Sequence, residues 1–125
     1  MYAEHIGLYA SDPVKLAAWY VETLGLGVIR TLEKEGRPPI YFLQADQGMV
    51  LEILPTHTER LTRELSDPGY SHIGFIVEDF EQAAASLQAK GVTLSNVRQT
   101  SNGWTIGYFD DPEGNRLEIV YRPPQ

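Results

Sequence analysis

His5-Ile6-Gly7-Leu8, close to the start of the chain, returns as His72-Ile73-Gly74-Phe75, and Leu51-Glu52-Ile53-Leu54 returns as Leu117-Glu118-Ile119-Val120. Histidine precedes glutamate by 47 positions in the first copy and by 46 in the second. One unit is therefore used twice, and each copy carries the same two metal-competent side chains at the same places. Alone, a strand histidine or glutamate is more often an ordinary polar residue of an alternating pattern than a ligand. Recurrence at matched spacing makes His5, Glu52, His72 and Glu118 the candidates for a shared site.

Working outward from these four, residues 3–10 and 70–77 alternate apolar and polar as strands do. Seven positions after each histidine stands an aspartate, Asp12 or Asp79, placed to cap a helix. Pro13 fits the first helical position, where its missing N–H costs nothing. Leu16, Trp19, Tyr20 and Leu24 form one apolar stripe, and Phe80, Ala83, Ala84 and Leu87 form its counterpart. Gly25 and Gly91 suit the helix ends. Three strand-like runs then follow in each copy, about residues 26–32, 39–45 and 49–54, and about 93–100, 104–109 and 116–121. Turn residues separate them, among them Asp46-Gln47-Gly48, Asn102-Gly103 and Asp111-Pro112-Glu113-Gly114-Asn115. The predicted class is α+β: two βαβββ modules forming a curved, barrel-like mixed sheet. Module one covers about 1–55, a connector about 56–69 and module two about 70–125, within a single domain of residues 1–125. Leu61 and Leu65, four apart, predict a short connecting helix closed by Asp67-Pro68-Gly69.

Alternate side chains of a strand share a face. His5 sides with Gly7 and Tyr9, His72 with Gly74 and Ile76, and Glu118 with Arg116 and Val120, while the bulky neighbours on the other face pack on the helices. The polar residues then point to the concave side, with glycine leaving room beside each histidine. Two imidazoles and two carboxylates suit one divalent first-row ion such as Ni, Co, Zn, Fe or Mn, with open positions for a small-molecule substrate. Tyr9, Trp104 and Tyr108 are candidates for lining the substrate pocket.

Composition narrows the classes. A formal charge of −7 argues against a nucleic-acid partner, which would need a clustered basic face. With no cysteine there is no disulfide, thiol nucleophile or thiolate ligand. No apolar stretch reaches a membrane span, and Met1-Tyr2-Ala3-Glu4 does not start a signal peptide, so the expected location is cytoplasmic. There is no Gly-x-Ser-x-Gly elbow, and Gly25-Leu26-Gly27 lies at a helix end, the wrong context for a phosphate loop.

Across nearly its whole length the chain resembles the vicinal oxygen chelate superfamily, closest to its glyoxalase I-like members. The first-strand histidine, the helix with Trp19-Tyr20 and Leu24-Gly25, and above all Asp111-Pro112-Glu113-Gly114-Asn115-Arg116-Leu117-Glu118 carry the likeness. The resemblance implies paired βαβββ modules around a metal, with the His, Glu, His, Glu ligand order falling on His5, Glu52, His72 and Glu118. It also implies a homodimer, in which the two halves of a site come from one chain or from two. The expected activity is that of a lyase or isomerase: proton transfer through a metal-bound enediolate, with Glu118 as base and Glu52 as second choice. Tyr9 and Thr56 stand where glyoxalase I has the arginine and asparagine that hold glutathione, so the resemblance does not carry glutathione over. Two relatives in the same superfamily set the alternatives: a metal-free sequestering protein of the bleomycin-resistance type, and an iron-dependent dioxygenase.

Overall fold

A computed structural model describes all residues from 1 to 125. The chain divides into two compact units, 1–61 and 62–125. The first holds β1 (His5–Ala10), α1 (Pro13–Leu24), β2 (Gly27–Lys34), β3 (Arg37–Gln44) and β4 (Val50–Pro55). The second repeats the order with β5 (Ile73–Ile76), α2 (Phe80–Ala89), β6 (Ser95–Gln99), β7 (Thr105–Asp110) and β8 (Arg116–Tyr121). The βαβββ module is thus present twice. Hydrogen bonding joins the strands into two four-stranded mixed sheets, one in each unit, β1-β4-β3-β2 and β5-β8-β7-β6. In each, the first and last strands of the module pair in parallel and the remaining pairs are antiparallel.

The helices start and stop where the sequence places the signals. Asp12 accepts from the Lys15 N–H and Asp79 from the Gln82 N–H, each satisfying a first-turn donor that has no partner within the helix. Gly25 closes α1 in the left-handed conformation, at φ 74°. Leu16, Ala17 and Tyr20 of α1 are buried, and the Trp19 ring stands edge-on to Tyr20 with centroids 5.1 Å apart. Leu51 and Ile53 on β4, and Leu117 and Ile119 on β8, turn to the cores of their units. Because a strand alternates, that inward turn directs Glu52 and Glu118 to the other face.

Strands β2 and β6 lie at equivalent sheet edges, and both break register, between Val28 and Arg30 and again between Leu32 and Lys34 in β2, and between Ser95 and Arg98 in β6. Bulges at edges increase local twist and blunt a surface that would otherwise template further pairing. In β6 the irregularity includes Asn96 at φ 53°, a conformation asparagine tolerates better than most residues.

The connecting helix expected near Leu61 and Leu65 is not formed. Residues 56–72 contain no helix, and both leucines are exposed, at 84% and 75%. An apolar pair with nothing to pack on does not hold so short a helix. Local polar bonds shape the segment instead: the Glu64 N–H donates to the Asp67 carboxylate, the Asp67 N–H donates to the Glu64 carbonyl, and the Arg63 guanidinium donates to the carbonyls of Asp67 and Tyr70.

The Asp111–Asn115 turn shows what its sequence is for. Asp111 is 4% exposed, and its carboxylate accepts from the N–H groups of Glu113 and Asn115 and from the Asn115 side-chain amide. Gly114 takes φ 84°. The turn feeds β8 in register with β7, Asp110 opposite Arg116 and Tyr108 opposite Glu118. The motif therefore aims Glu118 without doing chemistry itself. Asp111→Ala leaves three part-buried N–H donors without their acceptor, and a loss of about 2–4 kcal/mol is expected in urea unfolding. A cost within about 0.5 kcal/mol would remove that role.

Candidate functional site

Each unit brings one histidine to one glutamate. In the first, His5 Nε2 lies 3.8 Å from Glu52 Oε1. In the second, His72 Nε2 lies 3.6 Å from Glu118 Oε2. Register explains the match: Gly7 lies across from Glu52, and Gly74 across from Glu118. With no side chain on the glycine, the carboxylate reaches toward the imidazole two residues earlier. A Cβ built on Gly74 would stand 3.3 Å from Glu118 Oε1, whereas one on Gly7 would meet Leu54 at 3.2 Å and Glu52 Oε1 only at 3.8 Å. Gly74→Ala is accordingly expected to disturb Glu118 directly and to weaken cation binding by about tenfold with little change in melting temperature. Gly7→Ala presses mainly on Leu54, so its effect on binding is expected to be smaller. Equal affinities in wild type and Gly74→Ala would show that the space is not needed.

The remaining ring nitrogens are held locally. His5 Nδ1 is 2.8 Å from Glu4 Oε1, and His72 Nδ1 is 2.8 Å from Ser71 Oγ. An ionised carboxylate only accepts, so in neutral His5 the Nδ1 carries the proton and Nε2 presents its lone pair toward Glu52. Outer partners of this kind orient metal-binding histidines. Glu4 and Ser71 escape a search for repeated metal ligands because they differ from each other. The available signal is position, a polar side chain immediately before each histidine.

The second pair is the more enclosed. Side-chain exposure is 31% for His72 and 14% for Glu118, against 50% for His5 and 20% for Glu52. Two ligands about 2.1 Å from one ion lie roughly 3.0–3.4 Å apart. Both observed separations are a few tenths of an ångström wider than that and too long for a direct hydrogen bond. One nitrogen and one carboxylate oxygen per pair is a donor set that divalent first-row ions accept. Within each unit the pair therefore fits such a group as two of its ligands.

Of the aromatic candidates, Tyr108 joins a pair, its ring edge-on to His72 with centroids 5.3 Å apart. Tyr9 is 69% exposed on the His5 face of β1. Trp104 belongs to the turn before β7, where its N–H donates to Thr100 Oγ1, and Arg122 stacks on its ring at 4.2 Å. It does not line the cavity at His72. Arg116 does line that cavity, and it stands over Tyr108 with Cζ 4.1 Å from the ring centroid. Its sequence signal is its place two residues before Glu118, on the same strand face. No helix of the chain is long and apolar enough to cross a membrane.

Paired βαβββ modules, each presenting a histidine at or just before its first strand and a glutamate on the parallel partner strand, define a glyoxalase-type fold. Residues 3–119 match the Glyoxalase/Bleomycin resistance protein/Dioxygenase superfamily, and the chain belongs to that family. It is 31% identical to the glutathione transferase FosA of Serratia marcescens, over 92% of this chain and 77% of that protein. It is 28% identical to the lactoylglutathione lyase of Pseudomonas aeruginosa, over 93% of this chain and 80% of that one. Among solved structures, a glyoxalase family protein from Enterococcus faecalis superposes with a TM-score of 0.76 at 27% identity, covering 95% of this chain and 96% of its own.

Proposed function

We propose that the chain is a divalent-metal-dependent, glyoxalase I-like lyase or isomerase, with His5, Glu52, His72 and Glu118 as the metal ligands. The observation that supports this most is the matched pair of Nε2–carboxylate separations, the second beside a glycine that leaves its acid room. A divalent ion would supply Lewis acidity toward a hydroxy-carbonyl substrate and charge for the oxygen anion that develops as it reacts. The proton chemistry belongs to the protein. Glu118, more sheltered than Glu52, takes the proton from the carbon beside the carbonyl and returns it one atom away, while Glu52 is the second candidate. Glu4 and Ser71 keep the imidazoles turned toward the acids. Tyr9 and Thr56 offer no cationic or amide contact to a glutathione tail, which favours a small substrate.

Elemental analysis of protein purified without chelator tests the reading. One divalent ion per chain is expected, with affinity reduced at least about 100-fold in His72→Ala. Protein empty of metal after incubation with nickel, cobalt and zinc would defeat it. The alternative reading is a metal-free sequestering protein. Tight ligand binding by metal-free protein without turnover would establish it, and bound iron with oxygen uptake would point to a dioxygenase. A screen of thiol hemiacetals and small hydroxy-ketones identifies the substrate class. By family the protein is expected to be a dimer.

A further inference from the structure

Arg116 is a half-buried cation at one end of β8, two positions before Glu118 on the same strand face. Its guanidinium rests on the Tyr108 ring, and that ring meets the His72 imidazole edge-on. Arg98 lies 6.0 Å from the same ring centroid, adding a second positive charge nearby. Asp110 is the cross-strand neighbour of Arg116, yet no ion pair joins the two. In a chain of net charge −7, an arginine left unpaired among abundant carboxylates needs an explanation.

The surroundings supply one. Arg116, Tyr108, His72, Ser71, Ser66 and Leu65 line one cavity of about 200 Å³. A guanidinium placed over an aromatic ring still has N–H donors to offer, in a fork that matches a planar carboxylate. The Ser66 hydroxyl adds an adaptable donor, while Ser71 is engaged with His72 Nδ1. The cavity, about 200 Å³, has room for a small acid.

We propose that Arg116, seated on Tyr108, is the anion-recognition residue of this site and that the ligand carries a carboxylate: a small hydroxy- or oxo-carboxylic acid. This rests on reading the His72–Glu118 pair as part of a small-molecule site, but it does not require that a metal be bound there. The carboxylate sets the orientation, and the neighbouring oxygens of the acid are thereby brought beside His72 and Glu118.

The probes are lactate and hydroxyacetone, similar in size but differing in charge, titrated into the purified protein and followed by the NMR signals of Tyr108 and His72. Lactate is expected to bind at least about tenfold more tightly than hydroxyacetone, as a charge-assisted hydrogen-bond pair requires. Arg116→Met should erase that preference while leaving metal content and hydroxyacetone binding unchanged. Arg116→Lys should keep part of it, because an ammonium supplies charge without the fork. The same titrations on chelator-treated protein separate this idea from the metal reading. Arg116-dependent lactate binding in a protein that takes up no metal supports the anion site and refutes the metal site. Equal affinities for lactate and hydroxyacetone in wild type, or for lactate in wild type and Arg116→Met, overturn the anion site whatever the metal content. Should Arg116→Met fail to fold, the wild-type preference and the Arg116→Lys variant decide the question.

Discussion

Glu118→Gln is expected to lower kcat by about 10²–10⁴-fold while the protein still takes up metal. Glutamine keeps the shape of the side chain and one oxygen donor, so the Gly74 space stays filled as before. It cannot accept and return a proton at neutral pH, which is the step assigned to this residue. The matching Glu52→Gln variant separates the two carboxylates. A smaller fall in kcat with a larger fall in metal affinity is expected there, because the more open first pair is assigned chiefly to holding the ion. Comparing kcat with metal content for both variants makes the check. Unchanged turnover in Glu118→Gln would take the proton transfer away from that residue.

Leu117→Ala is expected to cost about 2–5 kcal/mol of stability. Leu117 is fully buried on β8, an inner strand of its sheet, and truncation leaves a cavity that flanking strands cannot easily close. Against a total of about 5–15 kcal/mol for an ordinary domain, that is a large fraction. Thermal melting should fall by roughly 10 °C or more. A change below about 1 kcal/mol would mean that the site relaxes around the loss. Leu117 also bears on function, because its inward turn is what sends Glu118 outward on the next residue. Partial loss of metal affinity at temperatures where the variant remains folded is the accompanying expectation.

Much of this architecture is legible in the chain, for identifiable reasons. Capping by Asp12 and Asp79, the stop at Gly25 and the alternation around Glu52 and Glu118 are local, and each is written within a few residues. The connector misleads because Leu61 and Leu65 have helical spacing but no surface to pack against. The second half-site blurs at its edge, where His72 lies just before β5 begins at Ile73. Trp104 reads as a pocket residue by type, yet Arg122 and the Thr100 turn hold it elsewhere.

Sequence by itself determined the duplication, the order of elements in each module, the four repeated polar residues and the family, because periodicity, capping and turn chemistry act over short stretches. Tertiary structure decided which groups touch. It set each imidazole 3.6–3.8 Å from its carboxylate, divided the strands into two sheets, and stacked Arg116 on Tyr108 beside a small cavity. Those distances follow from the pairing register of strands far apart in the chain, and no local pattern of residues encodes that register on its own.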